Sequence, residues 1–293
     1  MKRSKLRSEA VNTKTMNRRD FLQSGLMAGA LAAAGRLPLL AADRGVGSGI
    51  DASTGPYAVK PIRDHLSRFS PARTELRGLQ KYTLIYDIVH WNWVRGQRGT
   101  FANSVIGQVV IKRRVENSRV IYDVSQQTKI GGVNNFVEAN IICSADDFGS
   151  LRRWQLHSYE LSLKGQADPI SELNEKGACQ GGNIRVKSGN YSYEFNTRNP
   201  VVTQWTVLDL LIREADSRLR AEFDLLQDLS LFKPNQSLVY DGETRVRLKD
   251  GQTATLQAYS QTGQGILPIH YLIDAQGHPQ LVTSSILSWA LSG

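Results

Sequence analysis

From Lys81 to the C-terminus, apolar residues recur at every second position, the period of a half-buried strand. Tyr82, Leu84, Tyr86 and Ile88 share one face, as do Val105, Val109, Ile111 and Val115. Glu116-Asn117-Ser118 predicts a turn into the next such face, Val120, Tyr122 and Val124. The clearest hairpin is Asn183 to Thr197. There Ile184 and Val186, then Tyr191, Tyr193 and Phe195, alternate with polar residues around Gly189-Asn190, a pair suited to positive φ. Asp250-Gly251 marks a second hairpin, between Arg245–Lys249 and Thr253–Tyr259. Asp274-Ala275-Gln276-Gly277 marks a third, between Ile269–Ile273 and Gln280–Trp289. About twelve strands are expected in all.

The period changes to that of a helix once within this array. Trp205, Leu208, Leu211 and Ile212 fall on one helical face, and Thr206 followed by Asp209 resembles a capping box. This predicts a helix from about Thr206 to about Ala215 covering a sheet face. A short helix is expected at Ile62 to Phe69. The fold class is therefore mainly β: a large curved antiparallel sheet or open barrel with one covering helix. Curvature limits exposed edges. No composition break divides residues 81–293, so they are expected to form a single domain. Residues 43–80 form a lead-in, flexible at its Gly/Ser-rich start.

Hydrophobic residues make up 41% and charged residues 22% of the 293, which excludes disordered and fibrous classes. The net charge of +9 suggests an anionic partner at first. However, the first 42 residues hold eight basic and two acidic side chains, a net of +6, so the body carries only +3. Charge alone gives no case for nucleic-acid binding.

The basic segment has its own pattern. Asn17-Arg18-Arg19-Asp20-Phe21-Leu22-Gln23 is followed by a weakly apolar stretch from Ser24 to Gly35 and by small residues at Ala41 and Ala42. Arg18, Arg19, Phe21 and Leu22 carry a resemblance to the twin-arginine (Tat) signal peptides of bacteria. Asn17 and Gln23 are mild departures from the usual choices. The resemblance implies engagement of the Tat translocase, cleavage near Ala42, and a periplasmic or secreted location. Met1 and Met16 are alternative starts. Leu26 to Ala42 is 17 residues with Arg36 inside, short of the roughly 20 apolar residues of a stable membrane span. Many proteins of this route fold around a cofactor first, but the sequence assigns none.

Cys143 and Cys179 are the only cysteines. An even pair in an exported chain predicts a disulfide. His65, His90, His157, His270 and His278 show no metal-ligand spacing, and no metal is expected. His90-Trp91-Asn92-Trp93 is the densest aromatic cluster. His90, Trp91 and Trp93 are the candidate rim of an apolar ligand cavity, or a plug of tryptophans at a barrel mouth. Alternation sends Arg113 to the face opposite Lys112 and Arg114, and a run of such charges predicts a solvated edge strand. Asp209 and Asp216 have no evident partner. Ser230-Leu231-Phe232-Lys233 matches a penicillin-binding Ser-x-x-Lys only formally, since its companion motifs are missing.

At the level of strand order the body resembles the open, helix-lined β-barrels of the lipoprotein-localisation-factor group and uncharacterised secreted β-rich families. No ligand residues carry over from that resemblance. The expected function is a non-enzymatic exported β protein binding an apolar ligand or a partner in the cell envelope. The alternatives are an exported enzyme whose site is assembled from dispersed residues, and an assembly protein that exposes a sheet edge.

Overall fold

The computed structural model describes residues 60–68, 74–90, 104–130, 132–162, 164–167, 171–214, 219–248, 250–284 and 287–292. Among these residues fifteen strands join in one sheet. In chain order they are β1 (Lys81–His90), β2 (Ser104–Glu116), β3 (Arg119–Ile130), β4 (Val133–Ser144), β5 (Leu151–Ser162), β6 (Leu173–Gln180), β7 (Asn183–Ser188) and β8 (Tyr191–Asn196). They continue with β9 (Val201–Val202), β10 (Arg220–Gln227), β11 (Leu231–Arg247), β12 (Thr253–Gly263), β13 (Ile269–Ile273), β14 (Pro279–Thr283) and β15 (Leu287–Leu291). The expected strand from Gln280 to Trp289 is two strands, because Ser284 bonds back to Leu287 and reverses the chain. Two helices are described, α1 (Lys60–Arg68) and α2 (Val207–Glu214).

Across the sheet the order runs from β8 down to β1, then from β15 down to β9. The strand array thus starts in the middle of the sheet and returns to it, with β1 paired to β15. Neighbours are antiparallel except β9 and β10, which are parallel. A parallel pair needs a crossover, and α2 supplies it. The turns carry the left-handed residues that tight hairpins require. Asn117 and Ser118 both have positive φ between β2 and β3, and Gly189 opens the two-residue turn between β7 and β8.

The two edge strands, β8 and β9, are successive in sequence. Residues 197–200 alone join them, and five Cα steps span at most about 18 Å. The sheet must therefore curl until its edges face each other. It does so without a ladder between them, so it stays open. Phe195 of β8 stacks on Phe232 of β11 at 5.1 Å. Asp224 of β10 accepts hydrogen bonds from Thr197 Oγ1 and from Asn199 Nδ2, the latter at 3.1 Å. Register shifts within the β1–β2, β4–β5, β10–β11 and β11–β12 pairs provide local bends.

Strand parity assigns the faces. On the inner face Ile88 shares a row with Trp289, Val282, Tyr271 and Tyr259. Helix α2 fills this side. Val207, Leu208, Leu210, Leu211 and Ile212 are all at most 2% exposed, so α2 is buried all round rather than lying on one apolar stripe. Each such side chain contributes about 1.5–3 kcal/mol on burial. Its start is capped by two threonines: Thr203 N–H donates to Thr206 Oγ1 at 2.9 Å, and Thr206 N–H donates to Thr203 Oγ1 at 3.2 Å. Asp209, the expected partner of Thr206, turns to the sheet instead.

The opposite, outer face carries a second apolar row, Ala290, Leu281, Leu272 and Ala258, with Val89 in the row beside it. Ile62 and Leu66 of α1 are fully buried, and this helix packs near β2, β11 and β15. His65 Nε2 lies 3.0 Å from the Gln280 carbonyl oxygen and donates to it. Burial pulls His65 below its ordinary pKa, and burial does the same to His270. The folded state thus disfavours protonation that the unfolded chain accepts near 6.5. Stability is therefore full above that value and falls as the pH drops through it. We expect the urea midpoint to decrease between about pH 7.5 and about pH 5.5, and the slope to flatten in His65→Gln/His270→Gln.

Candidate functional site

His90 ends β1, half-buried, opposite Ser104 and Leu287. Trp91 and Trp93 lie outside the described residues, as do Arg18, Arg19, Phe21 and Leu22. The disulfide expectation is corrected: Cys143 and Cys179 are free. Cys143 is on β4, Cys179 on β6, and β5 runs between them. Two strand spacings put their Cα atoms roughly 9–10 Å apart, beyond the ~7 Å limit for a bridge. Burial raises both thiols above their ordinary range, which disfavours the reactive thiolate.

The basic run on β2 is corrected too. β2 lies between β1 and β3, inside the sheet rather than at its edge. Arg113 is 7% exposed and faces inward, as alternation requires. It meets Asp209 of α2, with Nε 2.8 Å from Oδ1. The Nε–H bond does not point along that line, so the contact is a charge pair more than an aligned hydrogen bond. Tyr82 Oη donates to Asp209 Oδ1 at 2.7 Å, Arg213 Nε lies 3.2 Å from Oδ2, and Arg113 Nη1 donates to the Leu79 carbonyl at 2.7 Å. Burial and the Asp209 charge push the Tyr82 and Tyr122 phenols well above their ordinary pKa. Burial lowers the Arg113 pKa, but Asp209 and the two phenols outweigh it, and the net direction is upward. The cluster ties α2 to β1 and β2. A lone arginine among Val109, Ile111 and Val115, and a lone aspartate within Val207–Ile212, were the sequence signals for it.

A serine, a histidine and an aspartate do converge at β11–β13. Ser260 stands directly opposite His270 and donates to Asp241 Oδ1 at 3.0 Å. The serine sits between the other two, and its hydroxyl points to the carboxylate. Activation as a nucleophile requires the hydroxyl to donate to the imidazole. This arrangement does not do so. Among the described residues no three His, Cys, Asp or Glu side chains group as metal ligands would.

A groove of about 860 Å³ opens to solvent on the outer face of β2–β7. Lys112, Asp123, Asn140, Gln155, Lys176 and Lys187 stand in one row across six strands. Ser125, Glu138, His157 and Asn174 form the adjacent row. The groove floor is the backbone of the residues between the rows, whose side chains face inward. Asp123 is held by Arg114 and by Asn140 Nδ2, which donates at 2.7 Å. His157 Nε2 lies 3.2 Å from Glu172 Oε1. Ammonium groups, carboxylates and carboxamides in fixed rows suit the holding of a polar, charged surface. The sequence contains these residues as the polar half of each alternation, but their register across six strands emerges only from the fold.

No protein-family model and no curated protein matches the chain. Two solved structures are similar to it. A β-barrel-like protein of domain of unknown function DUF1849 from Brucella abortus matches with a TM-score of 0.48 at 9% identity, covering 73% of this chain and 96% of that one. A DUF1089 family protein from Pseudomonas aeruginosa matches with a TM-score of 0.34 at 16% identity, covering 64% and 92%. Among the described residues no helix is long and apolar enough to cross a membrane.

Proposed function

We propose that this is an exported, non-enzymatic β protein of the cell envelope that binds a partner through the outer face of β2–β7. The observation that carries this reading is the division of labour between the faces. The inner side is occupied by the chain's own α2 and by buried aromatics such as Trp154, Trp205, Tyr86 and Tyr122. The outer side of β2–β7 bears a polar groove whose lining residues come from these strands and the β7–β8 turn and not from a described helix. A polar partner therefore suits the molecule better than an apolar ligand held inside. The twin-arginine pattern at Arg18 and Arg19 supports export, and the Tat translocase is then its first partner.

Two results test this reading. Residues 1–45 fused to a reporter should deliver it to the periplasm, and Arg18→Lys/Arg19→Lys should retain it in the cytoplasm. Export of the lysine pair at the original level would count against the Tat route. A photo-crosslinking residue placed at Glu138 or Ser125 in the exported protein should give discrete adducts, while one at the exposed Thr255 of β12 should not. The same pattern from all three positions would remove the groove as the binding face.

A further inference from the structure

We infer that the outer face of β5–β7 holds an anion-binding cradle for a phosphate-bearing ligand, centred on Ala178. In this arrangement Ala178 stands between Arg153 and Arg185 in one cross-strand row, and Lys176 stands between Gln155 and Lys187 in the next. Both rows face outward, since Trp154, Gly177 and Val186 between them face in. Four cations thus ring one small side chain, and a depression of about 360 Å³ opens over it.

The spacing is that of a sheet surface. Cross-strand neighbours are about 5 Å apart at Cβ, and residues two apart along a strand about 7 Å. Guanidinium and ammonium groups on such a lattice reach a shared anion above Ala178. Arg153 and Arg185 offer forked donors and the two lysines point charges, a combination suited to phosphate oxygens.

Among the described residues these charges are only partly compensated. Lys176 and Lys187 are direct cross-strand partners, a like-charge pairing that destabilises a sheet unless an anion lies between them. The side chains of Arg153, Lys176 and Lys187 make no hydrogen bond or ion pair to any described residue. Arg185 meets Glu194 at 2.9 Å, with side chains 71% and 51% exposed. Such a surface pair is weak and readily exchanged for a stronger anion. The near-neutral body thus concentrates four cations where one described carboxylate answers them.

This inference rests on the reading that the outer face is the binding face, and it names the chemistry at one end of the groove. Ligand phosphate has two sources, a soluble phosphate-bearing molecule or a lipid headgroup at an envelope surface. The test uses the full mature chain. Inorganic phosphate and pyrophosphate are titrated while the melting temperature is followed. In parallel, the protein is sedimented with vesicles of phosphatidylcholine alone or mixed with phosphatidylglycerol.

A saturable rise in Tm with pyrophosphate indicates the soluble source. Sedimentation with the phosphatidylglycerol vesicles alone, without a response to soluble anions, indicates the headgroup. In either case K176Q/K187Q should weaken binding by about tenfold or more, and K176R/K187R should retain it. The glutamine variant should melt no lower than the wild type without anion, which separates lost binding from lost folding. No response to any probe, or an equal response in the glutamine variant, overturns the cradle. Crosslinking at Glu138 and Ser125, two and three strands from Ala178, reports on the broader reading independently.

Discussion

Asp209→Ala lowers the unfolding free energy by about 3–5 kcal/mol, the cost of stripping one partner from a buried ion pair. The carboxylate is 1% exposed and is the acceptor on which Tyr82, Arg113 and Arg213 converge. Its removal strands the Arg113 guanidinium in the sheet interior, where no other described carboxylate reaches it. The loss is that of a misplaced charge more than of a missing contact. Asp209→Leu combined with Arg113→Met should therefore be less damaging than Asp209→Leu alone, because both charges leave together. Urea denaturation followed by tryptophan fluorescence measures both. A loss below about 1 kcal/mol in Asp209→Ala would mean that α2 is held by its apolar residues alone.

Gly177→Ala is the second large effect. A Cβ at this position would lie 2.1 Å from Trp154 Cζ2 and 2.5 Å from the Arg185 carbonyl oxygen. Trp154 is directly opposite on β5, 1% exposed, and its ring lies across the glycine. A buried ring beside a paired carbonyl has little room to yield, so the cost lies at or above the ~3 kcal/mol upper range for overpacking. Trp154→Phe removes the ring atoms in conflict. In that background the added methyl should cost at least about 1 kcal/mol less, a coupling that a double-mutant cycle reads directly. Equal costs in both backgrounds would show that the carbonyl, not the ring, sets the constraint.

Both predictions concern residues whose partners the sequence only half reveals. Periodicity of two gives each strand its faces, so the inward direction of Arg113 was legible. So was the hairpin from Asn183 to Thr197, which forms β7 and β8 with Gly189 at positive φ. The place of each strand in the sheet was not legible. The array begins at β1 in mid-sheet, and the β1–β15 pairing joins residues about as far apart in sequence as the array allows. No local pattern encodes that closure, so β2 read as an edge strand. The cysteines failed for the same reason: Cys143 and Cys179 suggest a bridge until β5 is placed between them. Nor did the capping signal at Thr206 identify its own partner, since Thr203 takes the place that Asp209 would have filled.

The groove and the cradle share this origin. Lys112, Asp123, Asn140, Gln155, Lys176 and Lys187 are scattered over 76 residues of sequence, and only successive antiparallel registers bring them into line. Composition hides them as well, because a body net charge of +3 averages a basic corner against acids placed elsewhere.

On this reading the chain fills its own inner side and binds through its outer face. Native mass spectrometry of the protein recovered from its export compartment tests this most directly. The expected result is the mass of the chain without its leader, both thiols reduced, and no apolar molecule retained. An apolar molecule that stays bound until the protein is denatured would contradict it and would place the binding site inside the sheet.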